Sequence, residues 1–142
     1  MGTDFIPLAS SGNSRSAAGR DRFACWLFRA AGIYGLIVLL PQFFLEQKIG
    51  AENPPAIAHP EYFYGFIGVG VAWQVAFLVI ARDPTRFRPM ILPSVLEKLS
   101  FGIPAIILFC QERIPATILA AGIVDLVLAA LFLIAWQRLG AR

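Results

Sequence analysis

The stretch ATILAAGIVDLVLAALFLIAW, Ala116–Trp136, decides the fold because it is apolar almost throughout, with one acidic residue, Asp125, near its centre. At ~1.5 Å per residue, a helix of this length crosses the ~30 Å hydrocarbon core of a bilayer. Three similar runs precede it, at Trp26–Leu45, Tyr62–Ala81 and Met90–Cys110. Backbone polar groups must be paired inside a bilayer, so each run is expected to be a helix. The sequence therefore predicts an all-α transmembrane four-helix bundle.

The composition leaves room for one membrane domain and no soluble catalytic domain. The 142 residues are 58% hydrophobic and 15% charged, against ~25% charged residues in soluble domains. We assign residues 23–138 to the membrane domain. Residues 1–22 are rich in Ser, Gly and Ala and lack an apolar period, which is typical of a flexible tail.

The net charge of +3 indicates membrane orientation rather than nucleic-acid binding. Basic residues are concentrated before span 1, between spans 2 and 3, and after span 4, whereas the other two loops hold two. The three basic segments contain Arg15, Arg20, Arg22, Arg82, Arg86, Arg88, Arg138 and Arg142, and the other loops contain Lys48 and Arg113. Loops rich in Lys and Arg stay in the cytoplasm. Both termini, including the tail, are therefore expected to be cytoplasmic.

Five polar residues inside the spans form the candidate functional site: Arg29, Gln74, Glu97, Lys98 and Asp125. At ~1.5 Å per residue, all lie between the cytoplasmic surface and the midplane. A lone charge at the bilayer centre costs ~2.5–3.5 kcal/mol on insertion scales, so we expect the four charges to pair. The depths favour Lys98 with Asp125 and Glu97 with Arg29.

Two interpretations of this cluster remain open. In one, the ion pairs fix the helix register and have no further role. In the other, the cluster lines a cytoplasm-facing cavity that binds a polar group or relays a proton, as intramembrane ionisable residues often do.

Span 2 carries a stripe of small residues at Gly65, Gly68, Ala72 and Ala76. Small residues let helices approach closely, and we interpret the stripe as packing within the bundle rather than as a dimer interface. The only histidine, His59, lies in the longest loop with scattered acidic residues. That pattern is insufficient for a metal site, and no sequence motif indicates a cofactor.

Three segments carry a family resemblance: HPEYFYGFIGVGVAWQVAFLVIARDPTRFR at His59–Arg88, LEKLSFG at 96–102 and DLVLAALFLIAW at 125–136. They resemble the BphX-like family of small four-span bacterial membrane proteins, over about Arg29 to Trp136. The resemblance implies a multi-pass protein of the bacterial cytoplasmic (inner) membrane with a link to aromatic-compound metabolism. It implies no catalytic residues.

Three functions follow as hypotheses. The first is a non-enzymatic component that binds or helps to move a small amphipathic or aromatic molecule, as a homo-oligomer if it transports. The second is a structural or accessory subunit of a membrane complex. The third is a membrane-embedded isomerase that protonates a lipophilic substrate through Glu97 or Asp125. The sequence offers no nucleophile motif or nucleotide loop for catalysis. The lipid bilayer is the expected environment in all three.

Overall fold

The computed structural model describes residues 11–52 and 56–140, with side chains from residue 22 onward, and these ranges contain helices and no strand. The elements are α1 (Ser11–Leu39), a 3₁₀ turn (Leu40–Phe44), α2 (Glu46–Glu52), α3 (Pro60–Ile80), a second 3₁₀ turn (Arg88–Met90), α4 (Ile91–Cys110) and α5 (Ala116–Gly140).

The four long helices confirm the predicted all-α four-helix bundle. The segments that are long and apolar enough to cross a membrane are Arg22–Phe44, Pro60–Ile80, Arg88–Cys110 and Ala116–Gly140. Each matches one predicted run to within a few residues. Pro41 ends the regular part of the first segment, because α1 gives way to a 3₁₀ turn there, as expected where proline removes a backbone donor.

Two elements differ in extent from the sequence-based expectation. Helix α1 begins at Ser11, inside the segment 1–22 that we predict to be a flexible tail; residues 1–10 of that tail lie outside the described residues. The loop after span 1, the longest in the sequence, contains the short helix α2, which we did not predict. Glu46 lies in the first turn of α2, where its negative charge interacts favourably with the helix dipole. Lys48 pairs with Glu52, one turn further along, at 3.8 Å.

The four long helices pack against one another to unequal extents. Helix α1 packs on α3 and α5, α4 packs extensively on α5, and α3 and α4 touch only sparsely. Helices α1 and α4 are therefore diagonal partners. We call the end that holds Ile80, Ile91 and Gly140 the basal end. The opposite end, which holds Leu39, Pro60 and Ala116, is the far end.

Close approach of α4 to α5 depends on two glycines. A Cβ on Gly102 would lie 2.6 Å from Leu126 Cγ, and one on Gly122 would lie 2.6 Å from Ala105 Cβ. Either contact is shorter than side chains tolerate. Glycine at both positions thus lets the two helices meet with almost no gap.

The structure contradicts our interpretation of the span 2 stripe at three of its four positions. A Cβ on Gly65 or Gly68 would meet no atom within 4 Å, and Ala72 is exposed. The reason is that α3 meets α1 through a different set of glycines: Gly32 and Gly35 of α1 and Gly70 of α3 have close cross-helix neighbours. Gly65 and Gly68 therefore lie on the outer surface of the bundle.

Three phenylalanine rings from three helices fill the core near the basal end. Phe28 of α1 stacks on Phe132 of α5 with ring centroids 4.2 Å apart. Phe77 of α3 meets Phe132 edge-on at 5.2 Å. All three side chains are fully buried, and we call them the phenylalanine core. Aromatic contacts of these geometries are favourable beyond the area they bury.

Two arginines fasten the helices at the basal end. Arg88 donates from Nε to the Trp136 carbonyl oxygen at 3.1 Å, and its guanidinium lies 4.5 Å from the Trp136 ring centroid. Arg138 lies similarly over the Phe23 ring, at 4.9 Å. Such cation–π contacts suit the membrane interface, where apolar rings and polar headgroups meet.

The outward surface of the bundle is apolar. Large side chains such as Ile37, Phe44, Ile107 and Val127 are more than half exposed. A soluble monomer rarely exposes contiguous apolar surface of this kind. The exposed faces and the helix lengths together support a multi-pass membrane protein.

We expect Gly102→Val to lower the free energy of unfolding by about 1–3 kcal/mol, because the added atoms overlap Leu126 and the α4–α5 contact must open. The matched control is Gly68→Val, which adds the same side chain facing open space. Unfolding in mixed detergent and sodium dodecyl sulfate measures both. Equal losses in the two variants would contradict the assigned packing.

Candidate functional site

An ammonium held between two carboxylates is the central feature of the candidate site. Lys98 Nζ lies 3.1 Å from Asp125 Oδ1 and 3.3 Å from Glu97 Oε2. The Lys98 side chain is 7% exposed, and those of Glu97 and Asp125 are 18% and 16% exposed. We call these three residues the charge cluster. The predicted pairing of Lys98 with Asp125 is confirmed.

The close α4–α5 contact brings the cluster together. Glu97 and Lys98 are consecutive on α4, and Asp125 lies on the facing side of α5, near the glycines that let the two helices meet. Lys98 Nζ also lies 5.4 Å from the centroid of the Phe77 ring. The ammonium thus rests on the phenylalanine core, which supplies a favourable π face on one side.

The pairing expected for Glu97 is wrong. Glu97 accepts a hydrogen bond from its neighbour Lys98, with Nζ to Oε1 at 3.4 Å. Arg29 is exposed and lies over the Trp26 ring at 5.4 Å. The physical reason is the diagonal placement of α1 and α4, which was not apparent from depth along the helices. Arg29 therefore lies apart from the other four predicted residues.

Gln74 joins the site from α3 and is 2% exposed. Its Nε2 donates to the Gly70 carbonyl oxygen at 3.2 Å, one turn earlier on the same helix. Among the described residues, its Oε1 has no hydrogen-bond partner, whereas Glu97 Oε2 meets the Lys98 ammonium at 3.3 Å. A buried acceptor without a donor costs free energy, so Gln74 Oε1 is an unfavourable feature of the packing.

Glycines of α1 make the space that Gln74 occupies. A Cβ on Gly35 would overlap the Gln74 amide, and one on Gly32 would lie 2.9 Å from the Gln74 carbonyl oxygen. Their spacing of three residues puts both glycines on one helix face, and this was the sequence signal available for them. We did not predict their role, because a glycine pair indicates close approach without naming the partner.

A cavity of about 770 Å³ connects these groups, and all four long helices line it. The charged or amide-bearing residues of its lining are Gln42, Gln74, Glu97, Lys98 and Asp125. The rest of the wall is mainly apolar and aromatic, including Phe66, Trp73 and Phe101. The sparse contact between α3 and α4 accounts for the space. Concave, mostly apolar sites with a few polar groups are typical of small-molecule binding.

The cavity lies mainly between the charge cluster and the far end. We had expected it on the other side of the cluster, toward the basal end, where the termini lie. Its lining reaches Gln42, just beyond the end of α1, and Thr117, at the start of α5. On the basal side, the phenylalanine core closes the bundle. The reason is that the rings of α1, α3 and α5 meet near their basal ends, whereas α3 and α4 touch only sparsely.

The polar residues of the loop after span 1 have separate partners. Tyr64 donates its hydroxyl to Glu46 Oε2 at 2.7 Å, and His59 Nδ1 lies 3.2 Å from Glu61 Oε1. Within the described ranges, no group of three or more His, Cys, Asp and Glu side chains converges as metal ligands do. Among the described residues, the charge cluster is therefore the candidate site, and the loop after span 1 is not.

No protein-family model, curated protein or solved structure matches this chain. The resemblance to the BphX-like family thus stays a prediction.

We expect Lys98→Met to be the most destabilising single change in the cluster, at about 3–5 kcal/mol, because it leaves two buried carboxylates without their counterion. Asp125→Asn should cost less, because Lys98 keeps Glu97 as a partner. The triple variant with Glu97→Gln, Lys98→Met and Asp125→Asn should recover much of the loss.

Unfolding in mixed detergent and sodium dodecyl sulfate measures the three variants. If Lys98→Met and Asp125→Asn cost the same, the ammonium is not what holds the two carboxylates in place.

Proposed function

We propose that this chain is a non-enzymatic protein of the bacterial cytoplasmic membrane that binds, or helps to move, a small amphipathic or aromatic molecule. The observation that carries the proposal is the large cavity, with an aromatic wall at one part and a charge cluster at another. A molecule with an apolar body and a polar group would contact both.

The proposed orientation has both termini in the cytoplasm, on the basis of the distribution of basic residues. The cavity would then extend from the charge cluster toward the outer face of the membrane. The phenylalanine core would close the path toward the cytoplasm. In this orientation the bundle captures its ligand from the outer side, and passage across the membrane requires the core to open.

Two other functions remain as alternatives. An accessory subunit would need no cavity, and its test is the mass of whatever copurifies. An isomerase would use Glu97 or Asp125 as an acid, but both carboxylates are already engaged by the Lys98 ammonium, at 3.3 and 3.1 Å. The cavity therefore favours binding over either alternative.

The binding test uses 3-(4-bromophenyl)propan-1-ol, a neutral amphipathic probe whose bromine quenches tryptophan fluorescence. Trp73 lines the cavity, so a Trp26→Phe, Trp136→Phe background makes it the sole reporter. In lipid vesicles we expect saturable quenching of Trp73. Ala121→Phe should weaken binding about tenfold or more by filling the cavity with a ring.

The matched control is Ala120→Phe, because Ala120 is the exposed neighbour on the same helix and does not line the cavity. Binding in this variant should equal that of the parent. Quenching that never saturates, or that is equal in both variants, would refute a ligand site in the cavity. Native mass spectrometry that finds a copurified polypeptide in place of a small molecule would favour the accessory subunit.

A further inference from the structure

The net charge and the acceptor-rich lining of the cavity point to the chemical class of its ligand. We infer that the cavity takes a cationic amphiphile, in which a primary ammonium group is attached to an aromatic or aliphatic body. This inference rests on the proposed function and narrows it, since an amphipathic molecule could equally carry a neutral or an anionic polar group.

The first observation is the charge balance of the lining. Glu97, Lys98 and Asp125 are its charged residues, so with all three ionised the wall carries one net negative charge. The single ammonium already lies within 3.3 Å of both carboxylates. One carboxylate charge is therefore left without a counterion in a largely apolar surrounding, where an unbalanced charge is costly. A cationic ligand would supply that counterion.

The second observation is the hydrogen-bonding character of the lining. Gln74 Oε1 is an acceptor without a donor among the described residues, and its Nε2 is already used on the Gly70 carbonyl oxygen. The carboxylates of Glu97 and Asp125 share one ammonium. Acceptors therefore outnumber donors in this part of the wall, which disfavours a ligand carboxylate and suits an ammonium, a group that carries only donors.

The third observation is the aromatic part of the wall. Phe66, Trp73 and Phe101 line the cavity together with Gly70 and Leu96. Rings of this kind accept the apolar body of a ligand, and their faces attract cations when water is excluded. A cavity of about 770 Å³ has room for one such molecule.

The experiment compares three probes that share one brominated body and differ in charge. They are 3-(4-bromophenyl)propylammonium, the corresponding propanol and the corresponding propanoate. Quenching of Trp73 in the Trp26→Phe, Trp136→Phe background reports binding, with protein-free vesicles as the correction for partition into lipid. We expect the ammonium to bind about tenfold more tightly than the alcohol, and the carboxylate to bind most weakly.

Two variants test whether net charge sets this preference. Asp125→Asn makes the cluster neutral, and we expect the ammonium and the alcohol to bind about equally. The double variant Lys98→Gln, Asp125→Asn restores one net negative charge on Glu97, and we expect it to regain the preference. Glu112→Gln, a carboxylate change in the turn before α5 and away from the cavity, should match the parent.

The alcohol also reports whether the cavity is intact, since its binding should change little among these variants. If the alcohol saturates the site and the ammonium binds no better, the ligand is not cationic and the proposed function stands. If the double variant fails to regain the preference while still binding the alcohol, charge does not select the ligand. If no probe gives saturable quenching, both the inference and the proposed function fail.

Discussion

The charge cluster of Lys98, Glu97 and Asp125 is the constraint on which the rest of this bundle depends. Charges inside a bilayer are tolerated only where they meet one another or water, and this requirement fixes the side of α4 that faces α5. Gly102 and Gly122 permit that contact. Once α4 and α5 are joined, α3 reaches α4 only sparsely, and the space left between them is the cavity. The charge cluster thus holds α4 against α5 and also lines the basal end of the cavity.

The two halves of the bundle differ because the phenylalanine core fills one and the cavity lies mainly in the other. Phe28, Phe77 and Phe132 pack the basal half densely. Toward the far end, the sparse contact between α3 and α4 leaves the cavity, whose wall includes Phe66, Trp73 and Phe101. Lys98 lies at the boundary, with a ring on one side and carboxylates on the other. A bundle built in this way is closed at one end and hollow toward the other.

Much of this was accessible from the sequence, since length and apolar composition define four helices without any knowledge of their neighbours. The Lys98–Asp125 pair was also predictable, because depth along a straight helix follows from residue number. The prediction of a Glu97–Arg29 pair was wrong because depth gives no information about which helices are diagonal. The stripe at Gly65 and Gly68 failed for a related reason: small residues indicate a face that allows close approach, but only the tertiary arrangement decides which face is used.

The roles of Gly35 and Gln74 were hidden for a further reason. A buried amide whose acceptor lacks a donor can be recognised only when every neighbouring atom is known. The cavity itself is likewise a property of the packing, because it arises from the sparse α3–α4 contact and not from any segment alone.

The central claim is that the bundle is hollow on the far side of the charge cluster and closed on its basal side. Cysteine accessibility along α5 tests this claim most directly. With Cys25 and Cys110 replaced by serine, a cationic methanethiosulfonate reagent is applied to permeabilised membranes, so that both faces are exposed. The account predicts reaction of Ala121→Cys, which lines the cavity, and protection of Ala135→Cys, which is buried against the phenylalanine core. Reaction at position 135, or protection at position 121, would contradict it.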